Sequence, residues 1–279
     1  MPEMRTERAI TAKSPFELRV QGARGMPEPD VRMALVTGDM GFLHSFTTGA
    51  TVDGPGVRVV AWTSGCMWRC QYCHNPDTWA LTNGSPVSIT QASEELRKYR
   101  HGLKVMSGGF TLSGGEPLMQ HRFAVKLLTA AHGMGIHTAL DTNGFYGDRL
   151  SDEELGPIDL VLLDLKAWDP QKHLKLTGME VAPTHTFAKR LAALRKPIWV
   201  RYVLVPGVTD DMDEISQIAA FAAGLGNIDR VDVLPFHQMG KYKWQQLGIP
   251  YPLADTRPPD NDLIDRACDV FRAAGLTAY

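Results

Sequence analysis

Three cysteines, Cys66, Cys70 and Cys73, lie in one eight-residue stretch, with three and then two residues between them. They follow an apolar run at residues 57–63, which predicts a β-strand. A [4Fe–4S] cluster takes four thiolate ligands, so a local trio holds three irons and leaves the fourth without a protein ligand. An open coordination position separates a reactive metal centre from a structural one. The spacing therefore predicts a catalytic iron–sulfur cluster.

Two other uses of these cysteines are open. A Cys₃His zinc site would take His74 as its fourth ligand, but structural zinc sites usually carry two separated ligand pairs, and the sequence has no second pair. Disulfides are disfavoured because four cysteines among 279 residues are typical of a protein from a reducing compartment. The fourth cysteine, Cys268, lies in a segment of helical apolar periodicity. We interpret it as a buried small hydrophobic residue and not as a ligand.

The composition disfavours several classes of function. A net charge of -2 and a pI near 6.5 give no electrostatic footprint for nucleic acid or for an anionic membrane. No apolar run reaches the ~18 residues of a membrane span, and no signal peptide opens the chain. A hydrophobic content of 44% allows a sizeable core. We expect a cytoplasmic monomer whose thiols stay reduced.

Apolar strand-like runs alternate with segments of helical periodicity. The predicted strands cover residues 57–63, 109–113, 137–141, 160–164, 198–204 and 230–234. The predicted helices cover residues 90–101, 120–133, 184–195 and 212–223. Alternation of this kind implies parallel strands joined by crossovers, and six units are too few for the closed eight-stranded barrel. We predict an α/β fold, an open partial (β/α)6 barrel over residues 36–279, after a mobile extension at residues 1–35.

Further informative residues follow the ends of predicted strands, where α/β folds place their sites. Gly114, Gly115 and Glu116 follow the second strand. Glycines let backbone approach a ligand closely, although Gly-Gly after a strand is more often only a tight turn. Asp141 and Asp164 close the third and fourth strands. Each alone is unremarkable as a helix cap or turn residue, but together they fit an acid/base pair or a site for a hard cation.

The cysteine motif and the Gly-Gly-Glu segment resemble the radical S-adenosylmethionine (SAM) superfamily, which is known for the open barrel. The resemblance implies that the free iron chelates the amino and carboxylate groups of SAM, and that Gly-Gly-Glu holds the amino group. Lys166 and Arg201 are the candidates to pair with the SAM carboxylate. The residues expected to contact SAM are Tyr72, Cys73, His74, Asn75, Gly114, Gly115, Glu116, Asp164, Leu165, Lys166, Arg201 and His237.

Narrower features resemble the activating enzymes of glycyl-radical enzymes, above all those for pyruvate formate-lyase. They lie at residues 52–58, 73–79, 173–178 and 235–244, and the resemblance runs from about residue 41 to the C-terminus. Members of that family can hold a monovalent cation. The residues that match its ligands are Asp141, Thr142, Asp164 and the backbone carbonyl of Leu162.

The resemblance implies a reductive mechanism. A small electron carrier such as flavodoxin or ferredoxin reduces the cluster, and SAM is cleaved to methionine and a deoxyadenosyl radical. That radical removes one hydrogen from a glycine Cα of the partner enzyme, expected to be pyruvate formate-lyase. Glycine suits this reaction because its backbone, without a Cβ, can enter a narrow pocket. Asp53 is expected to contact the substrate peptide, with a role in its own Asp-Gly-Pro-Gly turn as the alternative.

Other functions stay open at this point. The chain could activate a different glycyl-radical enzyme or act on a small molecule, although the cysteine-rich insert of several such activases is absent from a sequence with four cysteines. A non-enzymatic iron–sulfur or zinc protein is a third possibility. It leaves the Gly-Gly-Glu, Asp-Thr-Asn-Gly and Asp-Leu-Lys segments unexplained.

Overall fold

A computed structural model describes residues 17–18 and 28–279 of the chain. One sheet runs through these residues in the strand order β1-β2-β3-β5-β6-β7-β8-β9, with β4 paired to β2. The strands are β1 (Glu17–Leu18), β2 (Met40–Ala50), β3 (Arg58–Thr63), β4 (Ser85–Ser88), β5 (Gly109–Gly114), β6 (His137–Thr142), β7 (Leu160–Asp164), β8 (Ile198–Leu204) and β9 (Ile228–Pro235).

The six predicted strands correspond to β3 and β5 to β9, which pair in parallel in that order. Most residues of β3, β5 and β7 are buried. A strand that is buried on both faces consists of nearly continuous apolar residues, as is usual in parallel sheets covered by helices. That is why these strands could be recognised from the sequence.

The helices are α1 (Glu28–Thr37), α2 (Ile89–Arg97), α3 (Arg100–Val105), α4 (His121–Gly133), α5 (Pro170–Thr177), α6 (Ala182–Ala193), α7 (Met212–Leu225), α8 (Lys241–Gln246) and α9 (Asn261–Ala273). Four predicted helices match α2 with α3, α4, α6 and α7. Ser88 starts α2 with a capping box that uses Gln91, which satisfies backbone groups that a helix start leaves unpaired. Within the described chain, no helix is both long enough and apolar enough to cross a bilayer.

The six parallel strands form an open barrel. Strand β3 pairs with β5 and strand β9 with β8, and β3 and β9 are not neighbours in the sheet. Yet Trp62 of β3 and Leu234 of β9 line the same cavity. The sheet therefore curls around a central space without closing, which confirms the predicted partial (β/α)6 barrel.

The N-terminal side of the sheet was not predicted. Strand β2 pairs antiparallel with β3 and β4, and β1 pairs antiparallel with β2. Helix α1 spans the predicted division between residues 35 and 36. Most of residues 1–35 lies outside the described residues, so the mobile extension stays a prediction.

Candidate active site at the carboxyl ends of the strands

A cavity of about 630 Å³ opens at the carboxyl ends of the parallel strands. This volume is in the range of small-molecule and cofactor sites. The predicted residues that line it are Asp53, Cys66, Cys70, Tyr72, Cys73, His74, Asn75, Gly114, Gly115, Asp141, Asp164, Lys166, Arg201 and His237. Glu116, Thr142, Leu162 and Leu165 are not among its lining residues. The fold thus brings together residues spread over most of the sequence.

The loop with the three cysteines is held on one side by the end of α5. The Arg69 backbone N–H donates to the Thr177 carbonyl at 2.6 Å, and the Gln71 N–H donates to the Leu176 carbonyl at 3.0 Å. The Gln71 side chain also donates to the Lys175 carbonyl at 3.0 Å. The last carbonyls of a helix have no partner within it, so α5 offers its free acceptors to the cysteine loop.

Helix α8 holds the other side of this loop. Trp244 Nε1 donates to the Cys73 carbonyl at 2.8 Å. Lys243 Nζ donates to Asn75 Oδ1 at 2.9 Å and lies 3.1 Å from the Asp77 carboxylate. These contacts explain two segments that the sequence analysis used only as points of resemblance, residues 173–178 and 235–244.

The three cysteines are half-buried, and removal of their thiols from water raises the thiol pKa. The pKa of Cys70 rises to about 12, with Lys166 opposing the shift, and the pKa values of Cys66 and Cys73 also lie above the usual thiol value because of burial. Metal ligation requires thiolates, so binding must displace these protons. Three soft sulfur donors that open into one cavity fit an iron–sulfur cluster.

No further cysteine of the chain can complete the set locally. All four cysteines are free thiols. Cys268 is buried in α9 within the main hydrophobic core, as predicted. Three thiols in one cavity match a cluster with an iron open to another ligand.

His74 is engaged by another residue. Its ring stacks on that of His237, with centroids 4.0 Å apart, and its Nε2 lies 3.2 Å from the His237 carbonyl. Burial, helped by the neighbouring His237, lowers the pKa of His74 to about 4. The pair thus forms a stacked wall of the cavity next to the cysteine loop.

The two glycines are required by the backbone around them. Gly114 has a φ of +125°, and a Cβ there would lie 2.2 Å from the Thr63 nitrogen. A Cβ on Gly115 would lie 2.4 Å from the Gly65 carbonyl oxygen. Real Cβ atoms do not approach so closely, so both positions need glycine for packing as well as for the conformation that Gly114 adopts. The segment lines the cavity because it is pressed against the start of the cysteine loop.

Glu116 is fully buried beside the cavity. Its carboxylate accepts hydrogen bonds from the Leu118 N–H at 2.9 Å, the Thr142 hydroxyl at 2.7 Å and the Asn143 N–H at 2.8 Å. Burial still raises the pKa of Glu116 to about 7, against these donors. The side chain joins the end of β5 to the end of β6, and its predicted contact with the SAM amino group stays a prediction.

Arg201 lies at the centre of a charged network. Its Nη1 is 3.0 Å from Asp141 Oδ2 and 3.4 Å from Asp53 Oδ1. Burial opposes its charge, but Asp141, Asp53 and Asp164 together raise the pKa of Arg201. Burial raises the pKa of Asp53, with Arg201 acting against that shift. Ser113 completes the network by donating to Asp141 Oδ2 at 2.6 Å.

Lys166 pairs with Asp164 at 2.8 Å on the adjoining wall. Burial works against the Lys166 charge, yet Asp164 and Cys70 raise its pKa. Burial raises the pKa of Asp164 despite Lys166. The ammonium group also lies 5.4 Å from the ring centre of Tyr72. Among the residues that the structure describes, the buried Tyr72 hydroxyl has no hydrogen-bond partner. A buried, unpartnered hydroxyl is costly unless a ligand or water satisfies it.

Of the four residues of the predicted cation site, two line the cavity and two do not. Asp141 and Asp164 line it, but the Thr142 hydroxyl donates to Glu116. Leu162 is fully buried in β7, in register with Asp141 and Trp199. The cation stays a prediction. Leu165 is buried, and its N–H donates to the Arg201 carbonyl at 3.1 Å.

Several residues with a part in the site were missed from the sequence. Ser113 orients Asp141, and Lys243 and Trp244 hold the cysteine loop. A serine at a strand end gives no sequence signal of its own. The Lys-Trp pair lies in a short segment without a clear period, so only its resemblance to known activating enzymes marked it.

Comparison with known proteins agrees with this site. A family model described as a 4Fe-4S single cluster domain matches residues 52–176. The pyruvate formate-lyase-activating enzyme of Listeria monocytogenes is 42% identical over 241 residues, which cover 84% of this chain and 97% of that protein. The pyruvate formate-lyase 1-activating enzyme of Escherichia coli K12 is 40% identical over 238 residues, which cover 85% and 97% of the two chains.

Solved structures agree on the fold. A radical SAM methyltransferase from Sphaerobacter thermophilus superposes with a TM-score of 0.60 at 18% identity, over 91% of this chain and 81% of that one. Identity at this level supports the architecture alone. The matches to curated relatives extend over most of both chains, and on that ground the chain belongs to the pyruvate formate-lyase-activating enzyme family of radical SAM enzymes.

Proposed function

We propose that this chain reductively cleaves SAM at a [4Fe–4S] cluster held by Cys66, Cys70 and Cys73, and that it removes a hydrogen from a glycine Cα of pyruvate formate-lyase. The carrying observation is that these three thiols open into one cavity, whereas the remaining cysteine is buried in α9. Such a set leaves one iron for SAM. When bound, the cluster supplies the electron that splits the carbon–sulfur bond of SAM.

The residues of the chain supply binding and orientation. Lys166 and Arg201 carry positive charge into the cavity and are suited to the SAM carboxylate. Asp164 and Asp141 carry negative charge that suits its ammonium group and its sulfonium. Tyr72 offers a hydroxyl to which no residue of the described part of the chain is hydrogen-bonded. Removal of a hydrogen atom needs no general acid or base, and we assign none.

The cavity is open to a segment of another protein. Val52 and Met239 line it while 66% and 73% of their surfaces are exposed. These apolar side chains stand at its mouth, where a glycine-bearing loop of pyruvate formate-lyase would enter. Asp53, the next residue after Val52, is buried and also lines the cavity. We propose that Asp53 contacts the glycine-bearing segment.

Electron supply and location complete the proposal. A small carrier of the flavodoxin or ferredoxin class would deliver the electron to the cluster. The four free cysteines suit a compartment in which thiols stay reduced, so we propose a cytoplasmic activase. A monovalent cation beside Asp141 and Asp164 would offset the negative charge around the bound cofactor.

Anaerobic reconstitution tests the function. The reconstituted protein, reduced with dithionite, is expected to convert SAM to methionine and 5′-deoxyadenosine, and with purified pyruvate formate-lyase to give the electron paramagnetic resonance doublet of a glycyl radical. Cys70→Ala should abolish both, whereas Cys268→Ala should keep both. Equal loss in the two variants, or no cleavage by a wild-type protein that carries four irons, would refute the proposal. Cleavage without the doublet would refute the partner alone.

A further inference from the structure

Arg58, at the start of β3, is completely buried. We infer that Arg58 and Thr111 are positioning residues for the hydrogen-transfer step, because they fix the turn that carries Asp53. The inference rests on the proposed function and assigns a task to two side chains outside the cavity lining. It concerns the glycine substrate and not the binding of SAM.

A slot is built for the Arg58 guanidinium. A Cβ on Gly109 would lie 2.0 Å from Arg58 Nη1, and a Cβ on Gly54 would lie 3.2 Å from Arg58 Nε. Glycine at 109 therefore leaves the space that the guanidinium fills. Burial lowers the pKa of Arg58 to about 10, with Asp53 acting against the shift, so the group stays charged at neutral pH.

The guanidinium reaches the turn in two ways. Its Nη1 donates directly to the Pro55 carbonyl at 3.3 Å. Its Nε donates to Thr111 Oγ1 at 3.0 Å, and that hydroxyl in turn donates to the Asp53 carbonyl at 2.6 Å. An N–H donor on one side commits the hydroxyl proton to the other side, so Thr111 is held as the donor to Asp53.

The opposite side of the guanidinium is anchored to neighbouring strands. Nη2 donates to the Phe110 carbonyl at 2.6 Å, and Nη1 also lies 3.2 Å from His137 Nδ1. Burial and Arg58 together lower the pKa of His137, which fits a neutral ring that accepts at Nδ1. Arg58 thus ties the starts of β5 and β6 to the turn at residues 53–57.

The consequence reaches the cavity through Asp53. Its backbone is fixed by Thr111, while its side chain lies 3.4 Å from Arg201 and lines the cavity. Gly54 and Gly56, with φ of +124° and +68°, give the turn a conformation that few other residues adopt. Without the hydrogen bond from Thr111 to the Asp53 carbonyl, the Asp53 carboxylate would no longer be held in one position in the cavity.

The test separates two reactions of the reconstituted enzyme. Thr111→Val keeps the shape of the side chain and removes the hydroxyl. It should leave iron content and SAM cleavage in the absence of partner near wild type, and raise the KM for purified pyruvate formate-lyase about tenfold, the effect of one lost hydrogen bond. Thr111→Ser should restore most of the wild-type KM. Thr138→Val is the matched control, because Thr138 is equally buried on β6 but donates to the Pro157 carbonyl.

A double-mutant cycle shows whether Thr111 acts through Asp53. The KM of Asp53→Asn with Thr111→Val should equal that of Asp53→Asn alone, because the carboxylate that Thr111 is inferred to position is already absent, although its bond to the residue 53 carbonyl remains. Arg58→Lys keeps the positive charge but loses the planar guanidinium and its several N–H donors. It provides a second variant and should also raise the KM for pyruvate formate-lyase. A wild-type KM in Thr111→Val or Arg58→Lys, an equal rise in Thr138→Val, or additive effects in the cycle would overturn the inference. Failure of SAM cleavage in the wild type would instead refute the proposed function.

Discussion

Glu116→Gln is expected to change how the stability of the protein depends on pH. The Glu116 carboxylate is fully buried and accepts three hydrogen bonds, yet burial raises its pKa from the ordinary value of 4.5 to about 7. Glutamine has almost the same shape and carries no titrating proton. It can keep the two bonds made to one oxygen and must lose the one from Asn143.

The folded protein binds the Glu116 proton more tightly than the unfolded chain does, because the pKa is raised by burial. Between pH 4.5 and 7 the folded protein holds a proton on Glu116 that the unfolded chain has released, so the free energy of unfolding falls as pH rises through this window. The contribution is fully present below pH 4.5 and is lost above pH 7. A shift of this size corresponds to about 3 kcal/mol, at ~1.4 kcal/mol for each pH unit. In Glu116→Gln this decline is absent.

Urea unfolding at pH 5, 6, 7 and 8, followed by circular dichroism, measures the difference between wild type and variant. Relative to wild type, Glu116→Gln should gain about 2 to 3 kcal/mol from pH 5 to pH 8. Glu94→Gln, which removes an exposed carboxylate on α2, is the control and should run parallel to wild type. Parallel curves for Glu116→Gln as well would show that the carboxylate is ionised throughout and that its three donors outweigh burial.

Three further outcomes are expected. Gly115→Ala should lower the iron bound per chain after reconstitution, because its Cβ would meet backbone of the cysteine loop, whereas Gly224→Ala, with open space around it, should bind iron normally; equal iron in both would contradict this. Trp244→Phe should cost about 1 to 3 kcal/mol of unfolding free energy by leaving the Cys73 carbonyl unpaired, as urea titration would measure, and an unchanged midpoint would contradict it. Asp141→Asn should weaken SAM binding, measured by calorimetry, with normal iron content, and loss of the cluster would argue against a role at the cofactor.

The parallel part of the fold could be predicted because burial on both faces leaves an apolar run for each strand. Strand β2 was missed for the opposite reason. Its residues alternate irregularly between buried and half-buried, and register shifts interrupt its pairing with β3. Helix α5 was missed because its period covers only eight residues, although Asp169 caps its start and Gly178 ends it in a left-handed conformation.

The cysteines and the acids at strand ends could be predicted because position relative to a strand is visible in sequence. Contacts between distant side chains are not. From the sequence, Gly114 and Gly115 are interpreted as glycines that let a ligand approach the backbone. The structure shows that they also leave space for the backbone of Thr63 and Gly65. Nothing in the sequence indicates that Thr111 donates to the Asp53 carbonyl, because this contact joins a turn to a strand 58 residues away in the chain.

The charged side chains that line the cavity carry more negative than positive charge, so a cationic ligand would bring the site closer to neutrality. Asp53, Asp141 and Asp164 face Arg201 and Lys166, which leaves one negative charge in excess before any thiolate forms. A cluster held by three thiolates still adds negative charge, because the positive charge of its iron–sulfide core offsets only part of theirs, and buried negative charge is costly without compensation. SAM brings an ammonium, a sulfonium and a carboxylate, one positive charge in all. SAM binding would therefore offset the excess negative charge of the site. A monovalent cation beside the same carboxylates would offset it further.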